Sequence, residues 1–409
     1  MNIQILKSLI ANRQSSITIT GSKSESNRLL LLQALYPNLS IKNLSNSDDS
    51  VLMQKALASG EDLIDIHHAG TAMRFLTAYF SIQEDREVTL TGSLRMKERP
   101  IGILVEALKQ LGADIQYLEN EGFPPLRIKG KKLTKSKVAL KANVSSQYIS
   151  ALLLIAPRLE NGIELTLVGK ITSIPYIKMT LGLLNEIGIE TAFKDNAITV
   201  KPKTTNIESQ TLVVESDWSS ASYFYSIVAL SEIGTEITLS SYKKDSLQGD
   251  AVLPEIYEQF GVTTLFETNT ITLQKSSTVN PHSSINLDLS NAPDIAQTIA
   301  VTAFGLGLEC YLTGLHTLKI KETDRLVALK KELEKLGGKV TITDQSLHLG
   351  ESKSINDNVS INTYNDHRMA MAFAPLGLKT ALQILAAEVV SKSYPQFWED
   401  LSAIGFKIK

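Results

Sequence analysis

Hydrophobic and polar positions along this chain fall into two alternating patterns. In the first, a stretch with apolar residues on one helical face ends in glycine and leads into a β-type run: LMQKALASG, LVEALKQLGADI, LGLLNEIGIE, PEIYEQFGV, KKELEKLGGKV and EDLSAIGFKI. Apolar residues recurring every three or four positions predict amphipathic helices. The glycines, Gly60, Gly112, Gly188, Gly261, Gly337 and Gly405, stand where a helix ends and a left-handed residue is favoured. They are separated by 52, 76, 73, 76 and 68 residues, so the pattern is an internal repeat with one early copy trimmed. In the second pattern a polar cluster opens a helix that is almost wholly apolar afterwards: GSKSESNRLLLLQAL, HHAGTAMRFLTAYF, NVSSQYISALLLIA, SDWSSASYFYSIVAL, NAPDIAQTIAVTAF and YNDHRMAMAFAPL. Such helices belong in a core, with polarity confined to their N-terminal ends. REVTLTG, IELTLVG, TEITLSS and INLDLS alternate as strands.

Six copies of two helices and a few strands predict an α/β fold of two domains. Each domain holds three repeats of a β/α unit with parallel buried helices. GSKS and VESDW lie at the repeat boundaries where the chain could cross twice. The expected division is therefore 22–215 for one domain and 1–21 plus 216–409 for the other, with the active site in the cleft between them. Helix N-termini carry unpaired N–H groups and partial positive charge, so inner helices aimed at one cleft would attract anions. Polar residues at helix starts also serve as caps. Six clusters that add Lys, Arg, His and paired Ser go beyond capping.

Composition narrows the partners. Across 409 residues, 41 Lys+Arg balance 43 Asp+Glu for a net charge of −2, which gives no global attraction to nucleic acid or to a membrane surface. Cys310, alone in GLECYL, reads as a buried strand thiol; it excludes an internal disulfide and a cysteine-based zinc site. The six histidines show no metal spacing, and neither a phosphate loop nor an HExxH motif is present, so no metal and no cofactor are expected. Residues 1–20 lack an apolar signal core, and no run reaches the ~18 apolar residues of a membrane span. A soluble, cytoplasmic monomer is expected.

Seven cations sit near helix starts or in loops: Lys23, Arg28, Arg99, Lys321, Arg325, Arg368 and Lys392. They suit a substrate pair rich in phosphate and carboxylate, Arg as a planar bidentate donor and Lys as a movable point charge. Two carboxylates accompany them. Asp294 follows Pro293 at a helix start, and Glu322 is flanked by Lys321 and Arg325. Each reads equally as a proton-transfer group or as something plainer: an N-cap for Asp294, a surface ion pair for Glu322.

GSKSESNR, SDD, AGTAMR, RMKERPIG, SSQ, SIPYI, SSASYF, PD, KETDRL, YNDHRMAM and the late Lys392 occur, in this order, over nearly the whole chain. The set resembles the 5-enolpyruvylshikimate-3-phosphate synthase family, whose fold is two domains of three β/α repeats. The resemblance implies transfer of enolpyruvyl from phosphoenolpyruvate to shikimate 3-phosphate. It implies that Lys23, Ser24, Arg28, Ser145, Ser146, Gln147, Ser173, Asp294, Thr317 and Lys321 meet shikimate 3-phosphate. Lys23, Gly70, Arg99, Gln147, Arg325, Arg368 and Lys392 would hold phosphoenolpyruvate. Asp294 and Glu322 would carry the protons, with Lys23 as a third catalytic group. The family's inhibitor glyphosate competes with phosphoenolpyruvate, and a methyl group at Gly70 is expected to strike it before it disturbs the substrate. This sequence departs from the family's pattern at Thr20 and Phe75, where Pro is usual, and at His68 and Thr317, where Asn is usual. Two other readings remain: the sister enzyme that transfers enolpyruvyl to UDP-N-acetylglucosamine, and a non-catalytic repeat scaffold.

Overall fold

A computed structural model describes residues 1–10, 14–141, 145–169, 171, 174–203, 205–280 and 283–409. The chain divides into two compact units, Gly21–Val214 and Met1–Thr20 with Glu215–Lys409. Each has its own apolar core.

One repeat shows how the others are built. Strand Leu63–Asp65 leads into helix Gly70–Ser81, strand Glu87–Thr91, helix Gly102–Leu111 and the strands Asp114–Tyr117 and Leu126–Lys129. The first two strands pair in parallel, and the last strand adds antiparallel between the second and the third. The first helix of the repeat is buried along its whole length, as its apolar sequence demands. The second is amphipathic and buries Leu104, Val105, Ala107, Leu108 and Leu111 on one face. In unit Gly21–Val214 the inner helices Lys23–Leu35, Gly70–Ser81 and Ser146–Ile155 pack on one another. In the other unit Trp218–Leu230 and His367–Phe373 flank Ala296–Leu306, and each contacts it or the turn that follows.

Among the described residues, five of the six sheets have four strands, and strand Leu39–Lys42 pairs only with Gln210–Val213. This is the trimmed copy. The chain leaves helix Asp48–Ala58 and enters strand Leu63–Asp65 with no room for the two-stranded hairpin found at this point in four other repeats. Gly60 behaves accordingly. Gly112, Gly188, Gly261, Gly337 and Gly405 take positive φ, and Gly60 does not. Its helix already stops at Ala58, and Ser59 caps it in an extended conformation. Cys310 lies fully buried in strand Glu309–Thr313, and burial pushes its thiol up to about 12. Among the described residues no helix is long and apolar enough to cross a membrane.

Candidate active site

Inner helices that are polar only in their first turns deliver charged side chains to one end of each core. In unit Gly21–Val214, Arg28 lies one turn into the Lys23–Leu35 helix and is 2% exposed. Its Nε donates to Thr180 Oγ1 at 2.8 Å, Nη1 to the Ser24 carbonyl at 2.6 Å and Nη2 to Ser150 Oγ at 3.0 Å. The guanidinium lies 5.4 Å from the centre of the Phe75 ring. Phe75 therefore provides a cation–π face under Arg28 in an unbroken helix. Burial pushes Arg28 down to about 10. Lys23, half-buried, opens the same helix, and Ser22 before it has a buried hydroxyl with no hydrogen-bond partner among the described residues.

A second group forms around Gly70. Gln147 Nε2 donates to Thr71 Oγ1 at 3.2 Å, tying the Ser146 helix to the Gly70 helix, while Ser145 caps the former by accepting from the Gln147 N–H. A Cβ at Gly70 would stand 2.5 Å from Arg99 Nη1 and 2.9 Å from Arg74 Nη1. Among protein atoms, a methyl there meets the Arg99 guanidinium first. Arg74, which the sequence reading left inside AGTAMR without a role, is 4% exposed and donates from Nη1 to the Gly70 carbonyl at 2.8 Å. The Nε atoms of Arg74 and Arg99 are buried with no hydrogen-bond partner among the described residues. Burial, and then Arg99, push Arg74 down to about 10. A buried cation depressed in this way is stabilised by any anion that reaches it. Its signal in the sequence was the four-residue step from Gly70, which places both on one helical face.

The other unit gathers carboxylates and cations. Asp294 is not the N-cap it resembled: it lies inside the 3-10 turn Pro293–Ile295, and the helix after it has no side-chain cap. Its carboxylate is instead 3.3 Å from Lys321 Nζ, 3.0 Å from Arg325 Nη1 and 3.3 Å from Arg368 Nη2. Glu322 contacts Arg325 Nη2 at 2.8 Å; its partner is 2% exposed, so the pair is not a surface one. Arg325 also donates from Nε to the fully buried Asp366 at 2.6 Å. Burial lowers Arg325, but Asp366, Glu322 and Asp294 together outweigh it and raise the group above its ordinary value. Lys321 goes the other way, lowered first by burial and then by Arg325 and Arg368 against the pull of Asp294 and Glu322. Lys392 Nζ donates to the Asn365 carbonyl at 2.6 Å, next to the Asp366–Arg368 turn; Tyr364 and Asn365 there both have positive φ. The Thr317 hydroxyl is buried with no hydrogen-bond partner among the described residues. Ser173 lies outside the described residues.

The structure thus assembles Asp294, Lys321, Glu322, Arg325 and Arg368 in one unit. In the other, Lys23, Ser24 and Arg28 share the Lys23–Leu35 helix, Gly70 lies against Arg99, and Ser145, Ser146 and Gln147 open the helix that Gln147 ties to Thr71. The sequence reading missed Arg74.

A solved EPSP synthase from Acinetobacter baumannii shares this fold with a TM-score of 0.80 at 22% identity, over 100% of this chain and 99% of that one. A 3-phosphoshikimate 1-carboxyvinyltransferase from Bacteroides fragilis is 46% identical over 401 residues, covering 97% of this chain and 96% of its own. One from Haemophilus influenzae is 36% identical over 430 aligned positions, covering 96% and 97%. The model of the EPSP synthase (3-phosphoshikimate 1-carboxyvinyltransferase) family matches residues 53–401. The chain belongs to the EPSP synthase family.

Proposed function

We propose that this chain transfers the enolpyruvyl group of phosphoenolpyruvate to the 5-hydroxyl of shikimate 3-phosphate and releases phosphate. It is a transferase of the shikimate pathway, leading to aromatic amino acids. The hydroxyl oxygen adds to C2 of phosphoenolpyruvate as C3 gains a proton. The tetrahedral intermediate then loses phosphate from C2 and a proton from C3, restoring the double bond in the product.

In this reading Lys23, Ser24, Arg28, Ser145, Ser146, Ser173, Thr317 and Lys321 hold shikimate 3-phosphate, and Gln147 lies between the substrates. Gly70, Arg99, Arg325, Arg368 and Lys392 hold phosphoenolpyruvate, with Lys23 shared. Asp294 takes the hydroxyl proton and Glu322 serves C3. The protein works as a cytoplasmic monomer. The observation that carries the chemistry is the placement of the Asp294 carboxylate among Lys321, Arg325 and Arg368. Fixed cations stabilise phosphate as it leaves, at no cost of reorganisation during the reaction.

Asp294→Ala and Glu322→Ala test the assignment. Each should lower kcat by about 10²–10⁴-fold, the usual share of general acid–base catalysis, while the KM for shikimate 3-phosphate changes much less. Near-normal turnover in either variant removes that carboxylate from the mechanism.

A further inference from the structure

Asp250 lies in the 3-10 turn Gly249–Val252 and is 3% exposed. A carboxyl buried this deeply is costly unless its hydrogen bonds are made. Its Oδ2 accepts a short hydrogen bond from Ser219 Oγ, and its Oδ1 has no hydrogen-bond partner among the described residues. Ser219, at the second position of helix Trp218–Leu230, receives Arg368 Nη2 on the same Oγ at 3.2 Å. A hydroxyl has one proton to give. With that proton committed to Asp250, its lone pairs are left for the guanidinium. The result is a directed chain from the Arg368 N–H, through the Ser219 hydroxyl, to the Asp250 carboxyl. Asp294 also holds Arg368: its carbonyl accepts from Nη1 at 3.0 Å, and its Oδ2 is 3.3 Å from Nη2. Asp294 alone would leave the guanidinium free to swing with any movement of the Pro293–Ile295 turn. Ser219 anchors it to a second, separate helix.

We propose that Asp250 is a positioning residue for the transfer reaction, fixing the Arg368 guanidinium through Ser219 in the orientation that meets phosphoenolpyruvate. The proposal rests on the reading of Arg368 as a phosphoenolpyruvate-binding residue. Asp250 is distinct from the two carboxylates given proton-transfer roles. Among the described residues it makes no hydrogen bond or ion pair with Lys321 or Arg325, and its hydrogen-bonded link to the site runs through Ser219 to Arg368. The electrostatics fit a carboxyl kept for this purpose. Burial, and next the charge of Asp294, push Asp250 up to about 7, while Arg368 and the Ser219 hydrogen bond pull against them and Asp217 adds to the rise. Arg368 in turn faces Asp294, Tyr223, Asp250 and Asp217.

Steady-state kinetics on the full chain, with each substrate varied in turn, test the chain of contacts. Ser219→Ala and Asp250→Ala should raise the KM for phosphoenolpyruvate by about tenfold, the loss of one charge-assisted hydrogen bond, with the KM for shikimate 3-phosphate within about twofold of the parent. Asp250→Asn keeps an oxygen for Ser219 and should restore the phosphoenolpyruvate KM to within about threefold of the parent. If Asp250→Ala does not fold, Ser219→Ala cuts the same link without removing the carboxyl. Unchanged phosphoenolpyruvate KM in Ser219→Ala, an equal rise for both substrates, or Asp250→Asn as impaired as Asp250→Ala each overturn the proposal. Arg368→Ala separates the two levels. A raised phosphoenolpyruvate KM there, beside an unchanged Ser219→Ala, sinks the positioning role alone. An unchanged KM in Arg368→Ala sinks the reading of Arg368, and the proposal with it.

Discussion

Gly70 shows how one missing methyl group shapes a site. The Arg99 guanidinium occupies the space a Cβ would take, 2.5 Å from it, and Arg74 closes the other side. Gly70→Ala must therefore move Arg99, which is cheap for a side-chain tip and costly for a ligand contact. The variant should show a higher KM for phosphoenolpyruvate as well as weaker competitive inhibition by glyphosate. Initial rates at several phosphoenolpyruvate concentrations check this, and an inhibition constant that changes with no change in KM would contradict it. Asp250 gives a second test at this scale. Its carboxyl is raised from the ordinary carboxylate range to about 7 by burial. A group raised on folding contributes stability that is complete below its unfolded value, near 4, and lost as pH rises through about 7. Asp250→Asn does not titrate. Its Tm relative to the parent should therefore rise between about pH 4 and pH 7, measured by thermal melts across that window. A difference that stays flat with pH would contradict the placement of this carboxyl. Residue roles were the least legible part of the sequence. KETDR put Lys321 and Arg325 on one face. No spacing, however, showed that Arg325 would be shared by Asp294, Glu322 and Asp366, residues up to 41 positions away.

Helix ends read from the sequence more reliably than helix partners. A glycine after an apolar helical face marked all six repeats, and five of these glycines adopt the left-handed conformation that makes Gly useful there. Gly60 misled because the same letters follow a helix that has already stopped at Ala58. The two positions should respond oppositely to alanine. At Gly60 a Cβ has nothing within 4 Å and no positive φ, so Gly60→Ala should stabilise by about 0.4–1 kcal/mol through the unfolded state. At Gly112, where φ is +106°, Gly112→Ala should destabilise by about 1 kcal/mol although the space around it is equally open. Urea melts of the two variants decide it, and matching shifts would contradict the backbone assignment. Phe75 is the complementary case. Its apolar letter read as core and as a departure from a usual Pro, and neither reading showed that its ring would sit beneath the Arg28 guanidinium. That contact joins two helices 47 residues apart in sequence, which no local pattern encodes.

At the scale of the whole molecule, the repeat was legible because each copy must bury one helix completely and a second on one face, and both requirements write themselves into hydrophobic spacing. The α/β class and the three-repeat organisation followed from that spacing. The trimmed copy appeared as a short step between Gly60 and Gly112 and became the one two-stranded sheet among the described residues. The spacing could not choose a substrate; motif order did, and membership of the EPSP synthase family carries the same reading. The central claim is the acceptor. Phosphate release from phosphoenolpyruvate should be measured on the full chain with shikimate 3-phosphate and, separately, with UDP-N-acetylglucosamine. The account predicts rapid release with shikimate 3-phosphate and none above background with the UDP-sugar. Release driven by the UDP-sugar, or none with shikimate 3-phosphate from folded protein, would contradict it.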